Sequence, residues 1–215
     1  MPDNTTNRLT RAVKRILDVL RVLAIVSLIL WPLAVIAMTV GQSSHPESWG
    51  VDIDVYSGFT IDLSEFAADI TESVGVRNPI IDGKAELSID TSSPTALYVF
   101  TLITELGGVF ALYVLLQLRA LFASLLSGKN FAPENSKRIK KIGFVIIAWT
   151  LVSPILQYFG GQIILSEYAL NVPGIHLNPA FDISGMAIFT GVAMIILSGV
   201  LTEATRIHDD QQLTI

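Results

Sequence analysis

The stretch VLAIVSLILWPLAVIAMTV, residues 22–40, runs for 19 residues without a charged side chain. A bilayer core about 30 Å thick is crossed by about 20 helical residues rising about 1.5 Å each, so this run is a membrane span by length. Arg8, Arg11, Lys14, Arg15 and Arg21 precede it, as they would precede a signal peptide. A signal core, however, is only about 7–15 residues and is followed by a small-residue cleavage site. The run is longer, and Ala37-Met38-Thr39 is a poor site, so the segment reads as an uncleaved anchor.

Three further runs repeat the pattern. Ala96 to Leu118 is interrupted only by Glu105, Ile142 to Leu165 carries Pro154 near its middle, and Ile183 to Thr202 contains Gly185, Gly191 and Gly199. Proline at such a place kinks a helix, which neighbouring helices in a membrane accommodate. Ala187 and Gly191 make a single small-xxx-small step of the kind that lets helices approach closely. Composition agrees: 51% of the 215 residues are hydrophobic and 15% charged, against about 25% charged in a soluble domain. Without cysteine there is no disulfide framework, thiolate metal site or thiol nucleophile. A pI near 5.1 speaks against nucleic acid as a direct partner.

The basic residues set the orientation. Five precede the first span, six (Arg119, Lys129, Lys137, Arg138, Lys140, Lys141) separate the second from the third, and Arg206 follows the fourth. Only Arg77 and Lys84 fall on the other side, so the positive-inside rule makes both termini cytoplasmic. The expected fold class is an all-α integral membrane protein, four transmembrane helices with a small extracytoplasmic α+β insertion between helices 1 and 2. The expected segments are a basic N-terminal stretch 1–21, spans 22–40, 96–118, 142–165 and 183–202, an outer acidic cap 41–95, a cytoplasmic loop 119–141, an outer loop 166–182 and a cytoplasmic tail 203–215.

Within the cap, ten acidic residues face two basic ones, which keeps it in water or offers a cation-binding surface. Val51, Ile53 and Val55 alternate with Asp52, Asp54 and Tyr56, the period of a half-buried strand. Asp62-Leu63-Ser64-Glu65 has capping-box spacing, and Leu63, Phe66, Ile70 and Val74 follow at helical spacing. Asp82-Gly83 between Ile80-Ile81 and Lys84–Ile89 is a hairpin signal. Some 55 residues make a marginal core, so the cap is expected to lean on the helix ends. Asp52-x-Asp54 resembles the start of a calcium loop, but Ser57 and Leu63 stand where such a loop needs glycine and glutamate.

In the cytoplasmic loop, Gly128 and Asn130 suit a helix end or turn, while Pro133 and Glu134 suit a first helical turn. The third span thus begins in water as a basic helix and enters the bilayer near Ile142. Lys137, Arg138, Lys140 and Lys141 either contact anionic lipid or a partner, or serve only to fix topology; near a charged surface each would contribute about 1 kcal/mol. Here the chain resembles a bacterial membrane family, domain of unknown function 2975. The resembling residues are Gly128, Phe131, Glu134-Asn135, Arg138-Ile139 and Ile142-Gly143, together with the tail Asp209-Asp210-Gln211-Gln212-Leu213-Thr214-Ile215. Lys129-Asn130 and Ala132-Pro133 depart from the family's spelling, in which a proline precedes the phenylalanine. The order of one span, an outer segment and three spans agrees, so the resemblance is expected over nearly the whole chain. It implies a multi-pass protein of the bacterial inner membrane with no assigned reaction, often encoded beside small helix-turn-helix regulators.

No enzyme is expected. Serine–histidine catalysis needs a base near the nucleophile; His45 and His176 lie on the outer side, and His208, on the inner, cannot join them. His45, His176 and a nearby carboxylate could make an outer metal site, but no spacing motif supports it. No phosphate loop, HExxH or paired-carboxylate motif occurs, and no cofactor is implied. Glu105 is the exception that needs an account, since an ionisable group deep in a bilayer costs at least about 2.5–3.5 kcal/mol and marks a functional site. A span starting at Ala96 puts Glu105 about 14 Å deep, with Gln157 and Gln162 as candidate partners; a span from Ile103 to Leu126 puts it among the outer headgroups. Three functions follow: a sensory or regulatory protein with a cytoplasmic regulatory partner, a small transporter or channel subunit using Glu105 as a proton or cation relay in a homo-oligomer, and a structural partner in a membrane complex.

Overall fold

A computed structural model describes residues 4–42, 51–62, 80–91, 93–128, 132–168 and 175–212. Four helices carry the chain: α1 (Asn4–Gln42), α2 (Pro94–Leu126), α3 (Pro133–Tyr168) and α4 (Gly185–Gln212). All four are long and apolar enough to cross a membrane, with mean hydropathy between 1.8 and 2.5 over their most apolar windows. This is the layout of a multi-pass membrane protein. The first three predicted spans each lie inside one helix that overruns them at both ends; the fourth begins at Ile183, two residues before α4, which overruns it only at its C-terminal end. At 39, 33, 36 and 28 residues the helices reach about 42–58 Å, because the flanking basic and polar sequence is itself good helix former. Helix α3 runs through Pro154, and α1 through Pro32, without a break.

Three strands, β1 (Val51–Asp62), β2 (Ile80–Thr91) and β3 (Ile175–Pro179), form an antiparallel sheet in the order β2-β1-β3. Two expectations are corrected. Asp82-Gly83 makes no hairpin: it lies within β2, opposite Thr60 and Phe59 of β1. Ile80-Ile81 is too short to form a strand against Lys84–Ile89, whereas β1 offers twelve partners in register. The segment 166–182 is more than a loop, since β3 adds to the free edge of β1, pairing Ser57 with Pro179 and Ile61 with Ile175. Pro179, which cannot donate to a ladder, sits at the end of this edge strand as expected. The predicted cap helix, Leu63 to Val74, lies outside the described residues.

The chain divides into two compact units, Met1–Trp31 with Glu105–Val152 and Ile183–Ile215, and Pro32–Thr104 with Ser153–Asp182. In the second unit, Val35 of α1, Ile53 of β1, Ala96 and Leu97 of α2 and Ile164 of α3 form a buried cluster, with Phe100 packed against it. Ile53 is completely buried, so the strand does lean on helices. Ser93 begins α2: its hydroxyl accepts from the Ala96 amide (3.4 Å) and donates to Glu167 Oε1 of α3 (2.6 Å). Thr39 and Tyr98 share a 2.8 Å hydrogen bond between α1 and α2. Ile103 and Val99 pack where Gly160 lets α3 approach α2. The Thr101 hydroxyl of α2 is buried without a hydrogen-bond partner among the described residues.

Candidate functional site

In the first unit the loop residues and the basic cluster come together. Gly128 ends the turn after α2 in the left-handed region (φ +76°), where glycine carries no steric penalty. Its amide donates to the Leu125 carbonyl (3.1 Å). Helix α3 then starts at Pro133 with Glu134 in its first turn, favourable for a residue lacking an amide hydrogen and for an acid beside the helix dipole. Phe131 and Lys129 lie outside the described residues.

The first three turns of α3 are two-faced. Asn135, Ser136, Ile139, Ile142 and Gly143 are buried, whereas Glu134, Lys137, Lys140 and Lys141 are exposed. Asn135 is fully buried and its Oδ1 accepts from Arg138 Nη1 at 2.9 Å; the same nitrogen reaches the Ala120 carbonyl of α2 at 3.3 Å. Arg138 is therefore turned inward and joins α3 to α2. On the other side of the turn, Ser136 Oγ donates to the Ser198 carbonyl of α4 at 2.8 Å and lies within reach of the Ser198 hydroxyl (3.2 Å) and of Thr202 Oγ1. Arg138 and Ser136, two residues apart, thus hold α2 and α4 respectively. Lys140 caps the face of Phe144, 5.9 Å from the ring centre.

One turn beyond this polar clamp, α3 and α4 meet at glycines. A Cβ on Gly143 would lie 2.6 Å from the Gly191 carbonyl oxygen, and one on Gly191 would lie 2.9 Å from that of Gly143. The small residue of α4 expected to permit close approach does so, against a glycine of the loop motif. Farther on, Trp149 lies over Gly107 of α2 and stacks at a tilt on Phe110, 4.9 Å between centroids.

Between α1 and α2, Asp18 and Arg119 form an ion pair. Asp18 precedes the charge-free run, and the Arg119 hydrogen bond holds its carboxyl below the usual carboxylate range. Desolvation opposes this, while the charges of Arg119, Lys14 and Arg21 reinforce it. Gly108 packs against Leu28. The two contacts fix an antiparallel register, ten residues along α1 against eleven along α2, which brings Glu105 level with Trp31. Trp31 is the midpoint of the charge-free run 22–40. Glu105 itself is half-buried and, among the described residues, has no hydrogen bond or ion pair. Of its candidate partners, Gln157 and Gln162 are exposed.

Among the described residues no group of three or more histidine and carboxylate side chains could hold a metal ion. His176 is exposed, and His45 lies outside the described residues.

A family model described as a protein of unknown function (DUF2975) matches residues 81–215. The match takes in nearly all of β2, the helices α2 to α4, the loop motif and the tail; residues 1–80 fall outside it, less coverage than the resemblance led us to expect. No curated protein and no solved structure matches the chain. With well over half its length matched, and the clamp residues Asn135 and Arg138 inside that match, the chain belongs to the DUF2975 family.

Proposed function

We propose that this protein crosses the bacterial inner membrane four times with both termini in the cytoplasm, and that it senses or regulates rather than catalyses. The segments 41–95 and 166–182 then form an extracytoplasmic α+β insertion around the sheet. Twelve of the 14 basic residues lying on one side supports the orientation. The observation that carries the regulatory reading is the clamp. Asn135, Ser136 and Arg138 tie α3 to α2 and α4 by hydrogen bonds, and α3 runs unbroken from the clamp to Glu167, which bonds Ser93. Each hydrogen bond has a net value of about 0.5–1.5 kcal/mol, a scale that modest binding energy can overcome. Helix ends held this way suit two arrangements, with Lys137, Lys140 and Lys141 presented to a cytoplasmic partner.

The test has two parts. Side-specific reporters fused after residues 20, 60, 130, 175 and 215 should report inside, outside, inside, outside, inside; any other alternation ends the topology. Deleting the gene should change the cell's transcript profile. Wild type and Glu105→Gln should restore it, whereas Ser136→Leu, inserted in the membrane at normal level, should not. Full rescue by Ser136→Leu would refute the regulatory role.

A second reading, a transporter or channel subunit with Glu105 as relay, draws on one observation. Glu105 stands level with the middle of the charge-free run of α1 and has no partner in the described residues. On that reading Glu105→Gln abolishes proton or cation flux in liposomes, and the same variant fails to restore the transcript profile.

A further inference from the structure

Helix α1 carries a second basic feature, separate from the loop cluster. Arg11, Lys14, Arg15 and Asp18 follow at i, i+3, i+4 and i+7, the spacing of one helix face. They line a cleft of about 520 Å³ bordered by Leu126, the last residue of α2, within the range of small-molecule sites. We propose that this cleft binds a phosphate-bearing anion, presented by an anionic phospholipid headgroup or by a free phosphate from the cytoplasm.

The charge arrangement is the first argument. Like charges at i,i+3 and i,i+4 destabilise an isolated helix by about 0.2–0.5 kcal/mol per pair, and α1 holds three cations in that relation. The one acid on the face, Asp18, is engaged by Arg119 of α2. Lys14 and Arg15 have no carboxylate partner among the described residues. Lys14 and Arg15 therefore keep positive charge in the cleft that no described carboxylate of its walls compensates. Arginine supplies a planar fork of N–H donors matched to two phosphate oxygens, and lysine a point charge; the cleft offers both.

Depth is the second. Asp18 precedes Val22, the first residue of the charge-free run, by four residues, and Lys14 by eight. At about 1.5 Å per residue they lie about 6–12 Å outside the hydrocarbon, at and just beyond a headgroup layer about 5–8 Å thick. A lipid phosphate reaches the cleft from the membrane side, where Asp18 and Lys14 border the headgroup layer. A soluble phosphate reaches it from water. Neither route depends on the regulatory reading.

The experiment uses the full chain in nanodiscs of zwitterionic phosphatidylcholine. One arm titrates inorganic pyrophosphate; the other replaces part of the lipid with phosphatidylglycerol and counts retained lipids by native mass spectrometry. Arg11→Gln/Lys14→Gln/Arg15→Gln is compared with Lys137→Gln/Lys140→Gln/Lys141→Gln, which removes the same charge from exposed positions. The first variant should lose about 100-fold in affinity in at least one arm, and the second clearly less in that arm. Loss in the lipid arm alone assigns a headgroup, and loss in the pyrophosphate arm alone a soluble phosphate. Asp18→Asn, which removes the one acid lining the cleft among the described residues, should tighten binding and gives an independent readout should the triple variant fold poorly. Equal losses in the two triple variants, or none in the first, would overturn the proposal, because binding would then follow net charge or not involve the cleft.

Discussion

Replacing Gly143 by alanine adds one methyl group where α3 and α4 meet at Gly143 and Gly191. That carbon would lie 2.6 Å from the Gly191 carbonyl oxygen, 2.9 Å from Ile195 Cγ1 and 3.2 Å from the Ile195 amide nitrogen. Ordinary contact begins at 3.4 Å, so α4 must retreat by about 0.4–0.8 Å, and two of the three obstructing atoms belong to its backbone, which no rotamer change can move. Overpacking of this kind costs about 1–3 kcal/mol, and alanine returns about 0.5–1 kcal/mol through its helix propensity. The expected net loss is about 0–2.5 kcal/mol, centred near 1 kcal/mol. In lipid, where apolar burial drives helix association little, close packing is most of what holds the pair.

Gly191→Ala should cost less, since its nearest obstacle at 2.5 Å is the side chain of Ile147, although the Gly143 carbonyl stands at 2.9 Å. Gly199 and Gly185 have nothing within 4 Å, so alanine there should be neutral or stabilising. Unfolding midpoints in mixed micelles at increasing denaturing detergent would rank the four variants. The double variant Gly143→Ala/Gly191→Ala should lose less than the sum of the single losses, because helices already parted for one methyl accommodate the other. Equal damage from Gly199→Ala and Gly143→Ala, or strict additivity at the crossing, would refute the close-approach argument.

Thr101→Val replaces a buried, unpartnered hydroxyl with a methyl of similar shape and should stabilise by about 1 kcal/mol, read as a raised midpoint in the same titration. Asn135→Ala removes the Oδ1 acceptor of Arg138 and should destabilise by about 1–3 kcal/mol, with Asn135→Asp retaining more because it offers Arg138 a charged acceptor. The Asp18 carboxyl is held below its usual 3.8, so the ion pair's contribution is present above that value and lost as pH falls through the lower, folded-state one. A double-mutant cycle of Asp18→Asn with Arg119→Gln should therefore return the same coupling at pH 7 and pH 5, and a smaller one only below 3.8.

The helices were legible because their signals are local. Charge-free length located each one, Pro133 and Gly128 punctuated the loop as placed, and strand alternation put Ile53 inward, where it is completely buried. Strand β3 was illegible for the opposite reason. Five residues, Ile175–Pro179, pair with β1 more than a hundred positions earlier, and nothing near them announces a partner. The Asp82-Gly83 signal misled because turn propensity is weak evidence when a twelve-residue strand competes for the same backbone groups.

The basic loop shows where a charge-based reading stops short. Lys137, Arg138, Lys140 and Lys141 look alike as a cluster, yet Arg138 is partly buried in the clamp and the three lysines are exposed. A signal for the difference was present: Asn135, Ser136, Ile139, Ile142 and Gly143 repeat at i, i+1, i+4, i+7 and i+8, one stripe of a helix. Read with that period, Asn135 and Ser136 join the apolar face, and polar residues on a buried stripe need partners. Which partners they find, the Arg138 guanidinium on one side and the Ser198 carbonyl on the other, depends on helices distant in sequence. Asn135, Ser136 and Arg138 of the loop motif thus join α3 to α2 and to the middle of α4. On the regulatory reading proposed above, the loop acts through that junction, by loosening or tightening it, rather than through the lysines alone.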